Sequence, residues 1–391
     1  MQHCFTFSNY QRHELVYLRN RDVTLPNCHA GIKIALIFLS GPMILRINML
    51  FLYLHAKNRV KVKKTVLIII GFFMWAFNVV AFAQTDTTGF LKRWLPGTIT
   101  GVIRAKYEQN TSNGKGRFDV RNARFGMKGN VGKYFGYKFE IDFCDEGKIK
   151  MLDVYADFIP VKNLTFSLGQ MKAPFSTEYL LNPSKFEFAN RPFIDKRICM
   201  DLRDIGLKIT YDYEGKIPFS VSGFIMNGTG VNNPEWTTRF AAGGRTLITP
   251  FKGFTVQAQY LAGTIGNQKT EMQGYGIRYE YKGLIINTEY AQKTIVDTAS
   301  AYTQNSMFAY LLYNFQFTKG MIKTLTPALR YDFFSGNMKS RIYEPHRLAA
   351  GLTLGFHKLS FANIRFNYEK YFYQVSKGRE DKFTVEFMVK F

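Results

Sequence analysis

Residues 137–143 read YKFEIDF: Tyr137, Phe139, Ile141 and Phe143 fall on one side of an extended chain, and Lys138, Glu140 and Asp142 on the other. Side chains of a strand alternate between the two faces of its sheet, so one face here is greasy and the other charged. The same phase runs through Ile205, Leu207, Ile209, Tyr211 and Tyr213 against Asp204, Lys208, Thr210 and Asp212. It recurs in Tyr275, Ile277, Tyr279 and Tyr281 against Arg278, Glu280 and Lys282. A face that charged suits water, not a packed core. Rings outside and water inside is the pattern of a transmembrane barrel.

Working outward, the alternation predicts sixteen strands: roughly 97–107, 117–129, 134–144, 150–159, 163–171, 204–214, 217–227, 238–248, 253–262, 273–282, 283–293, 304–317, 324–335, 346–357, 360–374 and 380–391. The fold class is therefore all-β, a transmembrane antiparallel β-barrel of about 16 strands. An even count leaves both ends on the periplasmic side. Short links follow even-numbered strands, as at Pro160 to Lys162, Glu214 to Lys216 and Lys282-Gly283, and mostly longer ones follow odd-numbered strands. The last segment alternates Phe383, Val385, Phe387, Val389 and Phe391 with Thr384, Glu386, Met388 and Lys390 and ends the chain on a ring. That terminal Phe391 resembles the signal read by the barrel assembly machinery of bacterial outer membranes.

Composition agrees. Aromatic residues make up 16% of the 391 residues while mean hydropathy is only −0.15, which fits a barrel and not a bundle of apolar helices. The net charge of +23 makes nucleic acid, anionic lipid and anionic solutes the candidate partners. Nucleic acid is set aside, because the bases are interleaved with acids along the strands instead of forming one patch.

Lys61, Lys63 and Lys64 precede the apolar run TVLIIIGFFMWAFNVV and the small-residue site Ala81-Phe82-Ala83, a signal-peptide pattern that predicts cleavage before Gln84. Such a peptide begins at a chain start, so translation from Val60 or Val62 is expected, with residues 1–59 an upstream extension. The expected domains are thus 1–59, the signal peptide 60–83, a short periplasmic N-terminus 84–96 and an outer-membrane barrel 97–391. From Gln84 onward 42 basic face 27 acidic residues, a net +15. Only His346 and His357 follow Ala83, without a recognisable nucleophile motif, so no catalysis is expected. No metal-ligand spacing occurs, and no metal or cofactor is expected. Cys144 and Cys199 read as two unpaired thiols or as a disulfide joining a strand end to the long connection.

That connection runs from Lys172 to Arg203, KAPFSTEYLLNPSKFEFANRPFIDKRICMDLR, and on the strand count is the third extracellular loop. It is too long for an ordinary link, and its Phe, Tyr and Leu content argues for a packed loop. We expect it to fold into the lumen and narrow a pore. Lys172 and Arg203 stand at its two roots, and Arg121, Lys138, Lys208, Arg278, Lys282, Arg330, Arg347 and Arg365 take the inward phase along the strands. So do acids such as Glu140, Asp142, Asp153, Asp157, Asp332 and Glu369.

Three stretches, VRNARFGMKGNVGKYFGYKFEIDF (120–143), LDVYADFIPVKNLTFSLGQMKAPFSTEYLL (152–181) and RDIGLKITYDYEGKIPFSVSGFIMNGTG (203–230), resemble the phosphate-selective porin O and P family. The runs Gly169-Gln170-x-Lys172-x-Pro174-Phe175 and Arg203-Asp204-x-Gly206 are the most specific. The resemblance implies a sixteen-stranded, usually trimeric outer-membrane channel whose inward third loop and basic residues draw anions. It adds Arg121 and Arg124 to the anion-path candidates Lys172, Arg203, Lys138, Lys208 and Arg278. Where phosphate-specific members carry two adjacent arginines, the second here is Asn122. The expected function is passive diffusion of small anions such as phosphate, among outer-membrane lipids. A general, weakly selective porin for small hydrophilic solutes is the alternative.

Overall fold

The computed structural model describes residues 97–391 apart from 146–147, 201, 297–300, 339–340, 344, 360 and 373–380. The expected upstream extension, signal peptide and short N-terminus lie outside the described residues.

Eighteen strands run β1 Thr98–Asn110, β2 Gly116–Val131, β3 Phe135–Asp145, β4 Lys148–Val161, β5 Leu164–Lys172, β6 Arg203–Tyr213, β7 Phe219–Met226, β8 Ala241–Phe251, β9 Phe254–Ile265, β10 Gln268–Tyr281, β11 Leu284–Val296, β12 Ala301–Tyr313, β13 Phe315–Gln316, β14 Ile322–Met338, β15 Arg341–Tyr343, β16 His346–Phe356, β17 Ala362–Phe372 and β18 Lys382–Lys390. The two-residue β13 and three-residue β15 only extend the ladders on β14. The other sixteen form the wall. Each pairs antiparallel with the next, and β18 returns to β1 from Val102↔Lys390 to Asn110↔Lys382. Closure leaves no unpaired edge facing lipid. The final Phe391 completes the seam: its N–H donates to the Gly101 carbonyl at 3.1 Å, and its own carbonyl accepts from the Gly101 N–H at 2.7 Å.

The turn end is built from tight connections that the sequence marks. Lys282 and Gly283 have φ of 44° and 91°, the left-handed pair that a two-residue hairpin requires. The opposite end differs from expectation at one place. Residues 263–272, read as part of a long link, continue β9 and β10 into a hairpin turned at Gly266 and Asn267.

The two most specific motifs are register partners. Gly169 lies opposite Gly206, and Lys172 opposite Arg203, where β5 and β6 open into the long connection. Gly169 has φ +136°, and a Cβ there would lie 2.3 Å from the Val154 carbonyl oxygen, so only glycine fits. The Gln170 amide ties this root to its neighbours, donating to the Leu152 carbonyl at 2.6 Å and to Asn232 Oδ1 at 3.0 Å.

Between the roots, residues 173–202 fold into helix α1 (Thr177–Leu180), a 3-10 turn at Pro183–Lys185 and a π-turn at Ile194–Ile198. Phe175, Ile194, Ile198 and Cys199 are wholly buried, packed in one cluster with Leu261, Met272, Ala291, Phe308 and Phe334 of the wall. Each such ring or aliphatic chain taken from water contributes roughly 1.5–3 kcal/mol. The inward face of β9 to β14 is thus apolar in part, a correction to the wholly polar lumen that the alternation implied. Cys144 and Cys199 are not joined to each other, which removes the disulfide reading.

Candidate functional site

Polar bonds fasten residues 176–193 to strands around most of the ring. Thr177 N–H donates to Glu289 Oε1 on β11 at 3.1 Å, Ala189 N–H to Asn367 Oδ1 on β17 at 3.0 Å, and Phe193 N–H to Asp332 Oδ1 on β14 at 3.2 Å. Three consecutive carbonyls are captured by arginines. Arg104 on β1 donates to Ala189 O at 2.6 Å, Arg330 on β14 to Asn190 O at 3.0 Å and Arg347 on β16 to Arg191 O at 2.8 Å. A segment that reaches β1, β11, β14, β16 and β17 of a closed ring lies within it.

The arginines that hold it are themselves paired. Arg104 and Arg365 share Glu386, at 2.6 and 2.7 Å; Arg330 and Arg347 share Asp332, at 2.8 and 2.9 Å; and Arg347 reaches Glu369 at 3.1 Å. All seven side chains are at most 2% exposed. Loop rings cover the guanidinium faces, Phe188 over Arg330 at 4.4 Å and Phe193 over Arg347 at 4.6 Å. This belt is a fastening, since three carboxylates offset most of the charge of its four guanidiniums and most of the guanidinium donors are occupied.

Most of the predicted site residues gather elsewhere, on the inward faces of β2 to β6. Arg124 pairs with Glu140 at 2.9 Å and Asp142 at 2.8 Å. Asp153 receives Lys138 at 2.5 Å and Arg203 at 2.9 Å. Arg203 therefore pairs across the wall and not with Asp204, whose carboxylate accepts the backbone N–H of Ile205 and Gly228 instead. Lys172 donates to the carbonyls of Tyr179 and Leu181, which fixes the loop's first turn to its root. Lys208 makes no hydrogen bond or ion pair among the described residues; its ammonium sits 5.7 Å from the Tyr155 ring and within reach of the charges of Asp153, Asp157, Asp212 and Lys138.

Arg121 sits at a bulge. The β1–β2 register steps from Arg104↔Asn122 to Ala105↔Val120 and skips it. In a plain strand Arg121 and Arg124 would point to opposite faces; the extra residue lets both serve one face. Arg121 lies within reach of the charges of Arg104 and Arg191 and has no hydrogen bond or ion pair among the described residues. Arg278 stands apart on β10, bonded to Tyr310 Oη at 3.0 Å and Glu280 at 3.1 Å, beside a cleft of about 320 Å³ that it lines with Thr249, Lys252 and Thr255.

Sequence reasoning missed Arg104, Arg191 and Glu178. Arg104 was legible in the phase of Val102, Arg104, Lys106 and Glu108. Arg191 and Glu178 lie in the aperiodic loop, where no repeat could have pointed to them. Arg191 pairs with Asp195 at 3.1 Å, lies against Phe186 at 4.4 Å and is near enough for its charge to act on Lys172.

Glu178 Oε1 accepts from Tyr310 Oη at 2.9 Å inside the loop–wall contact. Burial, with the charges of Asp195 and Glu289, pushes its carboxyl from 4.5 up to about 8. A carboxyl raised on folding contributes its full stability below its ordinary value and loses it as pH rises through the folded one. The loop is therefore held most firmly below about pH 4.5 and loosens toward pH 8. Open-channel noise in single-channel recordings is expected to grow across that window and to grow less in Glu178→Gln. An unchanged pH dependence in that variant would remove Glu178 from the fastening.

A family model described as phosphate-selective porin O and P matches residues 100–306. Among solved structures, an outer-membrane protein OmpT of Vibrio cholerae in trimer form superposes with a TM-score of 0.56 at 12% identity, over 76% of this chain and 100% of that one. An anion-selective porin from Comamonas acidovorans gives 0.53 at 13% identity, over 75% and 98%. The outer-membrane channel DcaP of Acinetobacter baumannii gives 0.51 at 11%, over 75% and 97%. These likenesses show the shared barrel. No curated protein matches the chain.

Proposed function

Since the chain belongs to the phosphate-selective porin O and P family, an outer-membrane porin fold, we propose that it passes small anions such as phosphate by passive diffusion. The observation that carries this reading is the grouping of Arg121, Arg124, Lys138, Lys172, Arg191, Arg203 and Lys208 against Glu140, Asp142, Asp153, Asp157, Asp195 and Asp212. Seven bases against six acids leave a net +1 in a confined aqueous passage. Low-dielectric walls strengthen such a charge, and weak multi-site attraction lets an anion enter without being trapped.

Arg121 and Lys208 are the open cations of the group, so they meet the solute, while Lys172 and Arg203 shape the passage by fixing the loop. The match to an anion-selective porin in fold supports the same reading. The general porin remains the second reading on one observation: most bases here and in the arginine belt already have acid partners. We propose further that the chain forms a homotrimer, as the Vibrio cholerae OmpT structure does, and that the assembly machinery reads the seam-closing Phe391.

Single-channel recording of residues 84–391 in a salt gradient is the test. The reversal potential is expected on the anion side, with phosphate reducing chloride current. A potential near zero with no phosphate effect would make this a general porin.

A further inference from the structure

Each of the seven connections at the turn end carries one lysine: Lys133, Lys162, Lys216, Lys252, Lys282, Lys319 and Lys358. All seven are exposed. The same connections hold a single acid, Glu214, 3.8 Å from Lys162. Seven hairpins with different turn chemistry have no common structural need for lysine, so the shared feature points to what lies against that rim.

The strand ends beside these turns present rings to the outside. Phe135 lies 5.4 Å from Phe158, Phe251 stacks on Phe254 at 4.7 Å, and Tyr313 lies 4.6 Å from Phe315. Rings of this kind sit at the headgroup level of a bilayer. Two of the lysines lean on them. The Lys133 ammonium is 5.2 Å from the Tyr134 ring and the Lys282 ammonium 5.1 Å from the half-exposed Tyr281. Strand phase puts Lys282 on the lumen side, whereas the structure turns it outward. Lysine stems that lie along a membrane-level aromatic girdle hold their charges where lipid phosphates are.

We propose that this ring of lysines binds the phosphate groups of anionic phospholipids in the leaflet on the turn side, and so anchors the barrel's depth and tilt. The site is on the rim at the turn end and stands independently of which solute crosses the lumen.

The test uses the full barrel reconstituted in phosphatidylcholine vesicles, with spin-labelled phosphatidylglycerol or phosphatidylcholine as the probe of lipid held at the protein surface. Phosphatidylglycerol is expected to be retained about fivefold over phosphatidylcholine, the factor that one lysine at a membrane surface contributes. Replacing all seven lysines by glutamine should abolish the preference, and replacing them by arginine should keep it. In the unaltered protein, 1 M salt should weaken it, because the screening length falls to about 3 Å. Equal retention of the two lipids by the unaltered protein would overturn the proposal, as would a preference that survives the glutamine changes. Release of phosphatidylglycerol by equimolar inorganic phosphate would also overturn it, since that would make the ring a free-ion site.

Discussion

Arg347→Met is expected to lower the barrel's resistance to urea by about 3–5 kcal/mol and to unfasten the inner loop. The guanidinium is wholly buried and donates to Asp332 at 3.0 Å, Glu369 at 3.1 Å, Tyr371 Oη at 3.3 Å and the Arg191 carbonyl at 2.8 Å. A methionine fills much of its volume against Phe193 and Tyr371, so the loss is not mainly one of packing. What it leaves is two buried carboxylates with Arg330 as their remaining cation, and a loop carbonyl without its donor. Arg347→Lys should recover little, because a point ammonium cannot serve four acceptors spread around a planar fork. Single-channel records of Arg347→Met should show larger and noisier openings than the parent. Unchanged urea sensitivity and unchanged noise would mean that the apolar cluster around Ile194 and Phe308 alone holds the loop.

That division between fastening and passage marks what the sequence could and could not reveal. The wall was legible because a barrel strand must alternate, and segments such as 137–143 do so without a break. The long connection stood out by length and by its rings, and its two specific motifs proved to face each other across the β5–β6 root. Which cations are spent was not legible. Arg330, Arg347 and Arg365 share the phase of Lys208, yet they bond to acids, and Arg330 and Arg347 also to loop carbonyls, and that depends on where an aperiodic loop lies. The alternation also predicted polar lumen positions where Leu261, Met272 and Phe308 form the loop's apolar seat. Arg121 shows the opposite case: a family motif suggested it, strand phase set it at odds with Arg124, and a one-residue bulge reconciles the two.

The reversal potential is where the open cations should dominate. Arg121→Glu combined with Lys208→Glu is expected to move the channel from anion to cation preference. The grouping then holds five bases and eight acids, and its net charge passes from +1 to −3 while every fastening contact is kept. Lys172→Glu with Arg203→Glu is the less informative exchange. It would set a second carboxylate beside that of Asp153, leave two loop carbonyls without a donor, and alter the passage's shape together with its charge. The double change at 121 and 208 removes no hydrogen bond or ion pair of the arginine belt or the loop root, so its urea sensitivity should stay close to the parent's. A reversal potential that stays on the anion side in that variant would place the selective charge elsewhere in the lumen, with Arg278 beside the cleft near the turn end next in line. Charge alone can decide this on the proposed diffusion mechanism, in which a hydrated ion responds to the local potential, and reversing the sign of two unpaired side chains reverses that potential without rebuilding a binding pocket.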